Sequence, residues 1–163
     1  IFVNENCDLK IADFGLARQI EDDERSQPLT QYVATRWYRA PEVLLGGPNP
    51  VDYTEAVDLW ASGCILGELL RRVQNGCGRR PLFPGRDPLD QLGLIMSVLG
   101  TNTAAELASA DVRVARMLAD MPELAPRPWS VVCDNASSDA LDLLQKLVQF
   151  DSRKRASADV ALS

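Results

Sequence analysis

Apolar and polar positions change period along the chain. Ile1-Phe2-Val3-Asn4 and the stretch Cys7 to Ala12 flank the turn-prone pair Glu5-Asn6, and Leu9 and Ile11 share a face under the two-residue period. This predicts a β-hairpin over 1–12. From Asp13 to Pro41 neither period is sustained. The acidic run Glu21-Asp22-Asp23-Glu24 belongs in solvent, and irregular stretches of about thirty residues are usually functional or disordered. Pro41 is expected to stop any helix that reaches it. The helical period then takes over. Thr54 is placed to cap a helix in which Val57, Trp60, Ala61, Cys64, Ile65 and Leu69 follow i, i+3, i+4, i+7 spacing. Leu59 and Leu66 fall off that stripe, so this helix is expected to be apolar nearly all round and central, with Trp60 in the core. Gly76-Cys77-Gly78 marks a loop. Asp87-Pro88 is a cap followed by proline at the first helical position. Leu89, Leu92, Ile95, Met96 and Leu99 line one face of the helix it opens, and Gly100 closes it. Thr103 and Glu106 have capping-box spacing. A further helix is predicted from about Asp111 to Met121, with Val114, Ala115 and Leu118 inward. MPELAPRPW is a proline-broken connector, and Ser137 or Ser138 opens a last helix carrying Leu141, Leu144, Leu147 and Val148. The fold class is mainly α, a short hairpin followed by a helical bundle.

Composition narrows the partners. The chain has 163 residues, 46% of them hydrophobic, enough for one core. A formal charge of −6 argues against nucleic acid, whose phosphates call for a basic surface. No apolar run approaches the roughly 18 residues of a membrane span, and no signal peptide is visible, so no membrane partner is expected. There is no histidine, and Cys7, Cys64, Cys77 and Cys133 lie far apart without metal-ligand spacing. Reduced thiols in a cytoplasmic or nuclear protein are the expectation. The chain opens on IFVN without an initiating methionine and is read as a fragment of something larger.

Candidate chemistry sits at the two ends of the irregular stretch. Asp13-Phe14-Gly15 follows a predicted strand, where an aspartate beside a flexible glycine can offer its carboxylate to a divalent cation. Ala40-Pro41-Glu42 follows roughly thirty residues later, the spacing of the two ends of a protein-kinase activation segment. DLKIADFGLAR, TQYVATRWYRAPEVLL, VDLWASGCILGELL, PLFPGRDPLDQL and FDSRKRAS, in this order, resemble segments of mitogen-activated protein kinases and cover nearly the whole chain. The Thr-x-Tyr triplet before VATRWYRAPE marks that group among its relatives. Its middle residue here is Gln31, where the best-known animal subgroups carry glutamate, proline or glycine.

The resemblance implies a kinase-like fold of which this chain is the C-terminal lobe. Residues 1–12 would be a hairpin, 13–42 the activation segment, and 43–163 the helical lobe, with the family insert at about 85–128. It implies ATP and Mg2+ as cofactors, with Asp13 as the metal-binding carboxylate and Phe2 under the adenine ring; a core phenylalanine is the competing reading of Phe2. Thr30 and Tyr32 would be the activating phosphosites, two apart and on one side of an extended segment. Arg18 would receive the phosphothreonine, and Arg36 and Arg39 the phosphotyrosine, through charge-assisted hydrogen bonds. Thr35 would contact the catalytic loop, and Val33 to Arg39 would shape the pocket for a proline after the acceptor residue. Glu42 and Arg155 would form a buried ion pair, and Asp58 would hold the catalytic-loop backbone. Implied partners are an upstream dual-specificity kinase, protein substrates with Ser-Pro or Thr-Pro sites, and phosphatases.

Some features depart from the family pattern or are missing. Ala12 stands where some members carry a cysteine, and Arg72 to Arg79 reads as an inserted surface loop. No glycine-rich loop, phosphate-holding lysine or catalytic aspartate is found in these residues. The alternative to a dual-phosphorylated kinase is therefore a pseudokinase or truncated lobe that works by binding partners.

Overall fold

The computed structural model describes residues 2–14, 36–46, 54–71, 80–101, 107 and 110–163. Strands β1 (Phe2–Val3) and β2 (Leu9–Lys10) pair antiparallel, with Phe2 opposite Lys10 and Val3 opposite Leu9. The connection is longer than the Glu5-Asn6 pair. Asn4 Oδ1 accepts the N–H groups of Asn6 and Asp8, at 3.0 and 2.8 Å, and this side-chain turn replaces a tight hairpin.

The body is helical: α1 (Pro41–Leu45), α2 (Ala56–Leu70), α3 (Pro88–Leu99), α4 (Val112–Ala119), α5 (Trp129–Val132), α6 (Ser138–Leu147) and α7 (Ala158–Leu162). Pro41 starts α1 rather than stopping a helix. It occupies the first turn, where its missing N–H costs nothing, and Gly46 at φ +60 closes the helix. The start of α2 lies one residue beyond the expected cap: Thr54 Oγ1 accepts the Ala56 N–H at 3.3 Å, and Glu55 occupies the cap position.

The buried stripe of α2 is also rotated from the expected one. Trp60, Gly63, Cys64 and Gly67 face the core, whereas Ile65 and Leu69 are 39% and 55% exposed. The helix is therefore not buried all round. Its glycines let α6 and the loop before α3 approach: a Cβ on Gly63 would stand 2.7 Å from Val148 Cγ2, and one on Gly67 would stand 2.9 Å from Leu82 Cδ2.

Helix α3 follows its sequence signals. Asp87 caps it by accepting from the Leu89 and Asp90 N–H groups, and Leu92, Ile95 and Met96 are buried. Gly100 ends it at φ +89, with Pro126 packed where a Cβ would lie. The connector before α5 runs along this end, with the Arg127 N–H donating to the Val98 carbonyl at 2.8 Å. Asp111 and Ser137 cap α4 and α6 as side-chain acceptors. Leu118, Leu144, Leu147 and Val148 complete the core with Trp60 and Phe83, whose rings stack with centroids 5.9 Å apart.

Candidate functional site

Strand β2 delivers the chain to Asp13, which adopts φ +67, a left-handed conformation that aspartate tolerates better than most residues. Asp13 and Phe14 are exposed. Phe2 is 67% exposed in this chain. Arg18, Thr30, Tyr32, Thr35 and the loop Arg72 to Arg79 lie outside the described residues, as do Thr103 and Glu106.

Arg36-Trp37-Tyr38 form a 3-10 turn, and each side chain is tied to another element. Arg36 Nη1 donates to the Arg86 carbonyl at 3.0 Å, and Trp37 Nε1 donates to the Gly85 carbonyl at 3.1 Å. Tyr38 Oη donates to Glu68 Oε2 on α2 at 2.9 Å. Partial burial, then the bond to the Glu68 carboxylate, raises the Tyr38 phenol above its ordinary value. The Gln91 amide of α3 donates to the Trp37 carbonyl at 3.2 Å. One donor of the turn is left over: Arg36 Nε is buried and has no acceptor among the described residues. Arg39 closes the turn, its N–H donating to the Arg36 carbonyl at 3.0 Å.

Glu42, on the first turn of α1, meets Arg155 in a two-pronged ion pair. Nη1 lies 2.8 Å from Oε1 and Nη2 lies 3.0 Å from Oε2. The same guanidinium donates to the Ala56 and Gln149 carbonyls, so its charge is matched on several sides. The Arg155 side chain is fully buried and lies 5.2 Å from the centroid of the Trp60 ring. Beside it, burial pushes the Cys64 thiol up to about 12, with the Arg155 charge pulling weakly the other way. That thiol is inert at neutral pH. Asp58 is exposed on the first turn of α2, where a carboxylate suits the helix dipole, and has no side-chain partner among the described residues.

The structure thus joins Arg36 and Arg39 in one short turn and Glu42 to Arg155 across the lobe. Sequence reasoning passed over Gln91, Gly85 and the Tyr38–Glu68 bond. The one available signal was an amide next to Leu92 on the inward side of α3.

Residues 1–163 match the protein kinase domain. Among curated relatives, "Mitogen-activated protein kinase MPS1" of Pyricularia oryzae is 43% identical over 99% of this chain and 37% of its own length. "Extracellular signal-regulated kinase 2" of Dictyostelium discoideum is 45% identical over 100% of this chain and 43% of its own. "Mitogen-activated protein kinase spm1" of Cytospora mali is 43% identical over 99% of the chain. The chain belongs to the protein kinase family, and the relatives named above that carry the name mitogen-activated protein kinase are 43% identical to it. Its helical body with one short hairpin corresponds to the C-terminal lobe of that fold. It spans about two fifths of the length of the relatives it matches.

Proposed function

We propose that the chain is the lower lobe of a proline-directed serine/threonine kinase that transfers the ATP γ-phosphate to protein hydroxyls once Thr30 and Tyr32 are both phosphorylated. The observation that carries this reading is the anchored turn Arg36–Tyr38, in which a buried N–H of Arg36 has no acceptor among the described residues. An unmatched donor on a cation is costly, and an anionic oxygen is its best acceptor. Tyr32 lies four positions upstream of Arg36 and Thr30 six, and each phosphate adds about −1.5 to −2 charge. Arg36 and Arg39 receive the phosphotyrosine and Arg18 the phosphothreonine, so the segment orders on modification.

Asp13 offers one exposed carboxylate, and no group of three or more candidate ligands for a metal ion exists among the described residues. That arrangement fits magnesium held mainly by nucleotide phosphates and water, with Asp13 as one ligand. The bound Mg2+–ATP supplies the transferable phosphoryl group. In this reading Phe2, exposed in this chain, packs under the adenine. Thr35 and Asp58 support the catalytic loop, and Val33 to Arg39 select proline after the acceptor residue. An upstream dual-specificity kinase, Ser/Thr-Pro substrates and phosphatases are the partners, in the cytoplasm or nucleus.

In the full-length protein, Thr30→Ala combined with Tyr32→Phe is expected to abolish activation, measured as labelled phosphate transferred to a Ser-Pro peptide after treatment with the upstream kinase. A double variant activated to the wild-type level overturns the switch. A wild-type protein that transfers nothing after the same treatment favours the partner-binding alternative. The 163 residues alone are expected to be inactive, since they contain no glycine-rich loop, phosphate-holding lysine or catalytic base.

A further inference from the structure

Gln91 is 0% exposed and, with Arg155, is one of two polar or charged residues buried among the described residues. Buried amides persist where their hydrogen bonds are matched. Gln91 Oε1 accepts the Gly85 N–H at 2.9 Å, and Nε2 donates to the Trp37 carbonyl at 3.2 Å. The Gly85 carbonyl accepts the Trp37 indole N–H at 3.1 Å, which closes a ring between α3, the loop before it and the turn. Gly85 has no room for a side chain: a Cβ there would stand 2.5 Å from both Gln91 Cα and Oε1. A leucine or methionine could fill the volume of Gln91 but could make neither bond. Packing alone therefore does not account for the amide.

We infer that Gln91 is a positioning residue. It sets the place of Arg36–Arg39 against α3, and through that turn the fit of the residue after the acceptor serine or threonine. The inference rests on the kinase reading above. Arg36 is held by the same loop through the Arg86 carbonyl, so the turn and the loop move together when the amide is lost.

The test uses the dually phosphorylated full-length protein. Gln91→Met keeps the length and removes both bonds. It is expected to raise KM for a Ser-Pro peptide roughly tenfold, the size of effect expected when the part-buried Trp37 carbonyl loses its donor. KM for ATP stays unchanged, and the preference for Ser-Pro over Ser-Ala narrows. A merely structural role would shrink the active fraction, lowering kcat with the peptide KM intact; that result overturns the inference. Should Q91M not fold, Trp37→Phe removes the indole bond at a more open position, and an unchanged peptide KM in that variant overturns it equally. If the wild type itself transfers no phosphate, the kinase reading is what fails, and amide exchange decides the role of Gln91. Faster exchange over 36–45 in either variant with α6 unchanged supports it, and no difference overturns it.

Discussion

Arg155 shows how much one side chain can hold when every donor is used. It joins Glu42 at the start of α1, the Ala56 carbonyl at the start of α2 and the Gln149 carbonyl after α6, and it lies over Trp60. Removing one partner of a buried pair leaves the other charge unmatched, which typically costs ~3–5 kcal/mol. Arg155→Met is expected to lose about that much in denaturant unfolding. Swapping the charges, Glu42→Arg with Arg155→Glu, is not expected to restore stability, because a carboxylate cannot donate to the Ala56 and Gln149 carbonyls. Recovery to near wild type would show that the pair alone matters. Cys64 makes a second prediction at this scale. Its folded value of about 12 lies above the ordinary thiol value of roughly 8.5, so the native state holds a proton that the unfolded chain gives up first. Stability is then full below the ordinary value and falls as pH rises through the window up to the folded one, by about 1.4 kcal/mol per unit. Cys64→Ala removes this slope. Unfolding free energies at pH 8 and 10 check it, and identical pH dependence in both proteins would rule the thiol out.

At the scale of elements, α2 is held by what it lacks. A Cβ on Gly63 would stand 2.7 Å from Val148 Cγ2 and 2.9 Å from Leu147 Cβ, both close to the backbone of α6 and its end. Gly67 faces mainly the tip of Leu82, which can turn aside. Alanine favours a helix over glycine by about 1 kcal/mol, while overpacking costs typically 1–3 kcal/mol. Gly63→Ala is therefore expected to be clearly destabilising and Gly67→Ala nearly neutral, an order that chemical denaturation can reverse or uphold. These glycines also explain which elements the sequence disclosed. Helix α3 was legible because Asp87-Pro88 and Gly100 are local signals of its ends. On α2 the apolar stripe was read a step round the helix, since glycines give no hydrophobic signal at the closest contacts. Pro41 stops a helix arriving from upstream but also starts one, and α1, five residues long, has no periodicity to decide between them. Helix α5 is shorter still. The arginines of the turn were conspicuous in the sequence. The Gln91 bonds run to main-chain groups, which leave no trace in residue types.

Across the whole molecule, burial is divided unevenly. The helices share one core around Trp60, Phe83, Leu92, Ile95, Leu144 and Val148. Phe2, Val3, Leu9 and Ile11 of the hairpin region are each three fifths or more exposed. A two-stranded hairpin with so little apolar cover is marginal, because four paired residues cannot offset the entropy of ordering their backbone. Local stability should therefore differ by element, with the hairpin opening independently of the body. In the isolated 163 residues, amides of Phe2 to Lys10 are expected to exchange at nearly unprotected rates while those of α2 and α6 exchange far more slowly. The longer relatives, of which this chain covers 37% and 43%, have additional chain that could cover such a surface. The same hairpin amides in the full-length protein should then be slowed, with those of α2 and α6 changed much less. Equal protection of hairpin and helices in the isolated chain would mean that the hairpin draws stability from the body, contrary to its exposure.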